Sequence, residues 1–89
     1  MSKYARKVDT NQAEIVDVLH FKGATVEFLK SGGDKPDLLV GYEGVNYLME
    51  VKQPGKYPTD GQIDWITNWA GRAIVVFSWE DALREIGAM

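Results

Sequence analysis

Asp37, Glu50 and Lys52 are the residues whose types and spacing can carry chemistry. Asp37 follows Pro36, and Glu50 and Lys52 flank Val51. Between them run two short apolar stretches, Leu38 to Val40 and Tyr47 to Met49, divided by Glu43-Gly44. Strand-forming residues on either side of such a pair predict a hairpin. Pairing about that turn sets Tyr42 against Val45, Leu39 against Leu48 and Asp37 against Glu50, and loops of two or four residues give the same register. Directly opposed side chains have Cβ atoms roughly 4.5–5.5 Å apart, where two acids repel unless something compensates. Strand alternation turns Asn46, Leu48, Glu50 and Lys52 to one face and Tyr47, Met49 and Val51 to the other. Two carboxylates and an ammonium therefore converge at one end of a sheet.

A divalent cation would compensate the paired acids. Mg²⁺ and Mn²⁺ accept carboxylate oxygens, keep part of their hydration and take remaining contacts from substrate phosphate. Asp37 and Glu50 are the expected ligands, with the backbone carbonyl of Val51 as an additional donor. Lys52, beside the metal, can orient or deprotonate an attacking water and offset charge on a pentacovalent phosphate. Hydrolysis of a phosphodiester needs this combination. A plain surface ion pair between Glu50 and Lys52, worth ~0–1 kcal/mol, accounts for the lysine but not for the paired acids.

The flanking sequence supplies the elements that position these groups. Met1 to Val8 is a basic arm with Lys3, Arg6 and Lys7, either a solvated tail or a set of phosphate contacts. Asp9 and Gln12 resemble a capping box, and Ile15, Val18, Leu19 and Lys22 recur at helical spacing up to Gly23. Glu14 lies at the margin of that stripe, where position alone favours a surface charge. His20, the only histidine, has no second histidine or cysteine with which to build a transition-metal site, and its expected role is structural or incidental. Ala24 to Lys30 alternates as an edge strand, and Ser31-Gly32-Gly33-Asp34 is a flexible turn leading to Pro36-Asp37. Gln53 to Pro58 is a loop beside the end of the strand bearing Glu50 and Lys52.

Thr59 to Gln62 is a second capping box, opening a helix through Ala70 that Gly71 terminates. Ile63, Ile66 and Ala70 form its expected inner stripe. Trp65 and Trp69 widen its apolar face, either as core or as a subunit contact. Ala73 to Phe77 is an unbroken apolar run, which predicts a strand buried on both faces and brought parallel to a hairpin strand by the helix crossover. Ser78 caps a last helix with Glu80 and Asp81 in its first turn, Leu83 and Ile86 inward, and Gly87 at its end. The expected order is αβββαβα.

A chain of 89 residues bounds this to one domain, 1–89, whose core must be compact and whose function sits on its rim. With no cysteine, neither disulfides nor a thiolate metal site can stabilise it. No apolar run reaches the ~18 residues that span a bilayer, and the N-terminus lacks a signal-peptide core, so a cytoplasmic protein is expected. The net charge of −3 argues against a generic basic nucleic-acid binder. That objection weakens if several acids are metal ligands whose charge a bound cation offsets.

Pro36-Asp37, a hairpin and then Glu50-Val51-Lys52, in an αβββαβ order, resemble the PD-(D/E)XK nuclease superfamily, with its restriction-endonuclease-like α/β fold: a central mixed β-sheet flanked by helices. Gly33 to Leu39, Met49 to Lys52, and Thr59-Asp60-Gly61-Gln62 with Trp69 and Gly71 look like the virus-type replication-repair nuclease (VRR-NUC) domain. The likeness covers nearly the whole chain. It departs in the lead-in, where Asp34 and Lys35 separate Gly33 from Pro36, longer than the usual Gly-x-Pro-Asp form. The resemblance implies that Asp37 and Glu50 hold Mg²⁺ or Mn²⁺, that Lys52 is catalytic, that Gln62 supports the site and that Glu14 on the first helix belongs to it. It also implies a DNA endonuclease in the cytoplasm of a bacterial or phage-infected host cell, working as a homodimer on branched DNA such as four-way junctions. Lys3, Arg6, Lys7, Lys35 and Lys56 are the candidate phosphate contacts. Two rival readings are a nuclease fold that binds nucleic acid without cutting it, and a structural subunit in which the tryptophan face does the work.

Overall fold

A computed structural model describes residues 7–29 and 33–89, with side chains from Asn11 onward. Its elements are α1 (Lys7–Phe21), β1 (Thr25–Phe28), β2 (Leu38–Tyr42), β3 (Val45–Val51), α2 (Asp60–Asn68), β4 (Ala73–Val76) and α3 (Trp79–Ile86), the expected αβββαβα order. The strands form one mixed sheet in the order β1-β2-β3-β4. β1 and β2, and β2 and β3, pair antiparallel, and β4 joins β3 in parallel. Among the described residues no helix is long and apolar enough to cross a membrane.

Tyr42 pairs with Val45 and Leu39 with Leu48, as the turn position dictates. Both turn residues lie at positive φ, Glu43 at 50° and Gly44 at 83°, as a two-residue type I′ turn requires. Glycine adopts that conformation freely, whereas glutamate does so against a Cβ clash. The hairpin therefore forms despite one unfavourable turn residue, because its apolar face is buried.

That face is the core. Leu38 and Val40 of β2, Met49 of β3 and Val76 of β4 are fully buried beneath Ile15 and Leu19 of α1 and Leu83 of α3. Val16 is also buried. α1 and α3 cover this side of the sheet and pack on each other. Both ends of α3 follow the sequence reading: the Ser78 hydroxyl accepts from Asp81 N–H at 3.1 Å, and Gly87 and Ala88 N–H donate to the carbonyls of Arg84 and Leu83.

Several expectations need correction. α1 already includes Lys7, so Asp9 lies inside the helix and is not its cap, and the last two residues of the basic arm are helical. β4 is an edge strand in which only Val76 is buried, so the apolar run is not enclosed on both faces. It ends at Val76 because Phe77 N–H turns to the Asp81 carboxylate at 2.9 Å. α2 contributes no buried residue and packs only lightly, against β4. Ile63 and Ala70 are exposed, and Trp65 is half-buried. The tryptophans are not core: the helix stops at Asn68, Trp69 turns extended, and its ring stacks on Trp65 with centroids 4.9 Å apart and planes 13° from parallel. The Trp69 indole also occupies the space where a side chain at position 71 would begin, so Gly71 accommodates the indole after the helix has ended.

Replacing Glu43 by Asn, which tolerates positive φ, should stabilise the protein by about 1 kcal/mol and raise the melting temperature by about 4–8 °C. A thermal melt showing no gain would remove the turn strain from this account.

Candidate active site

Asp37 is fixed where the lead-in enters β2. Its N–H donates to the Met49 carbonyl at 3.1 Å and its own carbonyl accepts from Leu29 N–H at 2.8 Å. Its carboxylate accepts from Val51 N–H at 2.9 Å. Regular pairing ends one residue earlier, at Leu38↔Met49. Asp37 therefore reaches the end of β3 through its side chain, and does not simply face Glu50 across a continuing ladder. At Val51 it is the amide that is engaged by the other strand.

Glu50 is 3% exposed, the one charged residue in the core of the described structure. Its Oε2 accepts from Gln62 Nε2 at 3.3 Å and lies 3.5 Å from Lys52 Nζ. Its Oε1 is buried with no partner, a costly state for a carboxylate oxygen. Burial, and then the negative charge of Asp37, push the Glu50 carboxyl up to about 7, against the opposing pull of Lys52. The lysine keeps 22% of its side chain accessible, so its ammonium lies at the boundary between the buried acid and solvent.

Gln62 ties the capping of α2 to this cluster. Its Oε1 accepts from Thr59 N–H at 2.9 Å while its backbone N–H donates to the Thr59 hydroxyl at 3.1 Å. The capping box thus orients one end of the amide, and the other end donates to Glu50. The lead-in closes on the same helical turn: a Cβ at Gly61 would come within 2.5 Å of Asp34 Oδ2. The longer lead-in is accommodated where α2 offers no side chain.

Asn11 is a site-supporting residue that the sequence reading missed. Its Nδ2 donates to the carbonyls of Lys52 at 3.1 Å and Phe77 at 3.4 Å, bracing α1 against the strand end that carries the lysine. The available signal was its place four residues before the buried Ile15, where an apolar residue would continue the stripe. Glu14, by contrast, is exposed. Among the described residues no group of three or more His, Cys, Asp or Glu is placed to hold a metal ion. His20 is exposed at the end of α1. Lys35 and Lys56 are exposed, and Lys56 borders a cavity of about 590 Å³ beside Lys52. Lys3 and Arg6 lie outside the described residues, as does the side chain of Lys7.

Asp37 and Glu50 are the residues able to hold a divalent cation. The donor set is oxygen only, as Mg²⁺ and Mn²⁺ require, and the unpartnered Oε1 of Glu50 is a lone-pair donor that no protein group uses. The fit of residues to cation rests on that atom.

No family model matches the chain, and no curated protein matches it. Among solved structures, a VRR_NUC domain superposes with a TM-score of 0.76 at 27% identity, over 91% of this chain and 97% of that chain. The fold and the hairpin-end cluster define a small mixed-sheet domain of the nuclease class. More particularly, the chain is similar to a VRR-NUC domain in fold and over nearly its whole length.

The state of Glu50 sets a pH dependence. Its carboxyl titrates at 4.5 ordinarily and at about 7 in the fold, so between those values the folded state holds a proton that the unfolded chain has lost. Stability of the metal-free protein should be highest below the lower value and fall as pH rises through the upper one, by on the order of 3 kcal/mol from this group. Denaturant titrations in EDTA should show that decline, and Glu50→Gln should flatten it. An unchanged slope in the variant would detach the effect from Glu50.

Proposed function

We propose that this domain is a metal-dependent DNA endonuclease that hydrolyses phosphodiester bonds. The observation that carries the proposal is the buried Glu50 carboxylate, with one oxygen unpartnered and the other shared by Gln62 and Lys52, beside Asp37. A cluster serving stability alone has no use for an unsatisfied buried oxygen.

Asp37 and Glu50 would hold Mg²⁺ or Mn²⁺, with the Val51 carbonyl as a further donor. When bound, the cation supplies Lewis-acid polarisation of the phosphate and acidification of water. The residues do the rest. Asp37, held by Val51 N–H, and Glu50, held by Gln62, keep their carboxylates in place without rearrangement. Lys52 places its amino group at the solvent edge of the buried acid: as the neutral amine it can take a proton from the attacking water, and as the ammonium it can orient that water and meet charge building on the phosphate. Asn11 restrains the backbone from which that lysine projects.

The preferred substrate in this reading is branched DNA, such as a four-way junction, cut by a homodimer. Two-fold symmetry would present two sites on one surface, suited to paired cuts. The dimer is supported by the stacked pair of half-buried Trp65 on α2 and exposed Trp69 just past its end, since exposed aromatic surface of this kind is what subunit contacts use.

Incubation with linear, nicked, flapped and four-way DNA should give cleavage with Mg²⁺ or Mn²⁺ and none in EDTA. Lys52→Ala should slow cleavage by roughly 10²–10⁴-fold, the range for loss of a positioned proton-transfer group. Full activity in EDTA or in the variant would overturn the mechanism.

A further inference from the structure

The loop after Lys52 is built to hold an aromatic ring in solvent. Gln53-Pro54-Gly55-Lys56 closes as a β-turn, with Lys56 N–H donating to the Gln53 carbonyl at 2.9 Å and Gly55 at φ 89°. Proline at the second position and a positive φ at the third are the marks of a type II turn. Three residues further on, Thr59 is the fixed N-cap of α2. Between these anchors Tyr57 is 81% exposed. A tyrosine with no packing role would be expected on a mobile segment, whereas this one is presented by a closed turn.

Tyr57 does not stand alone. With Lys56 and Lys52 it lines the cavity of about 590 Å³, and Asn11 and Gln12 of α1 form part of the lining. That volume falls in the range of pockets for small organic ligands. The walls offer an aromatic face, an exposed ammonium and two side-chain amides, Gln12 with donors and an acceptor and Asn11, whose Nδ2 is committed to backbone carbonyls, with an acceptor. This combination matches a nucleotide: a π-face for the base, a cation for its phosphate and amides for the base edge. The cavity also adjoins Lys52, so its occupant would lie next to a phosphate held at Asp37 and Glu50. Within continuous duplex both faces of a base are covered by its neighbours, and Tyr57 would have nothing to stack on.

We propose that this cavity binds one unpaired nucleotide of the DNA strand, its base stacked on Tyr57 and its phosphate on Lys56, adjacent to the phosphate to be cut. The assignment rests on the nuclease reading above and adds a residue-level origin for preference toward frayed, flapped or branched DNA. Tyr57 is a specificity residue in this scheme, with no part in the bond-breaking step.

The test measures binding in EDTA, where no cleavage occurs, of a short oligothymidylate, the same sugar-phosphate backbone without bases, and a blunt duplex. Tyr57→Ala should weaken the oligothymidylate roughly tenfold, and Tyr57→Phe should change it by less than about twofold, because stacking on one aromatic ring contributes on that scale. The baseless backbone and the duplex should bind the wild type and both variants alike. Failure of the wild type to bind oligothymidylate, equal binding by wild type and Tyr57→Ala, or parallel losses on duplex would each overturn the proposal. Cleavage of a flapped duplex with Mn²⁺, measured separately, decides the nuclease reading: its absence with Tyr57-dependent binding intact would refute cleavage and leave the nucleotide site standing.

Discussion

Burial of the Glu50 carboxylate is the constraint on which the rest of the structure turns. An ionised carboxylate in that position is unfavourable unless it is hydrogen-bonded and paired, and the surrounding elements supply those partners incompletely. Gln62 and Lys52 take one oxygen, and the second is left without a partner. Asp37, whose charge adds to the difficulty, is itself committed to Val51. An apolar residue there would remove the conflict; in the proposed reading a divalent cation completes the acid instead.

The elements around Glu50 can be understood as supports for that arrangement. The parallel β3–β4 pairing buries the end of β3 from one side, and α1 and α3 secure the opposite face of the sheet through an apolar core. The capping box of α2 serves as a local helix start and as the mount for the Gln62 amide. Asp34 packed against Gly61 brings the lead-in of Asp37 and the first turn of α2 together. Lightly packed α2 is thus tied to the site by polar contacts at its N-terminal end, and exposed Trp69 stacks on Trp65 at the other end.

Features encoded by local chemistry were legible in the sequence. The hairpin register followed from Glu43-Gly44 and two short apolar runs, and the Thr59 and Ser78 caps followed from hydroxyl residues placed before helical patterns. The convergence of Asp37, Glu50 and Lys52 followed from the hairpin register and strand alternation, whereas Gln62 was placed beside them by family likeness. What depended on tertiary surroundings was not legible. The apolar composition of β4 cannot distinguish a covered central strand from an edge strand between two partly covering helices, and stacked tryptophans four residues apart look the same whether buried or exposed. Asn11 was missed because the carbonyls it braces lie 41 and 66 residues away. Glu14 was carried into the site by family likeness alone, and it lies exposed on α1.

The most direct test of the central claim, that Asp37 and Glu50 jointly hold a divalent cation, is calorimetric titration with Mn²⁺ in the absence of DNA. Asp37→Asn keeps an oxygen acceptor for Val51 N–H and Glu50→Gln keeps one for Gln62, so each removes charge with little change of shape. The wild type should give a saturable binding heat, and each variant should lose it. Unchanged Mn²⁺ binding in either variant would contradict the account.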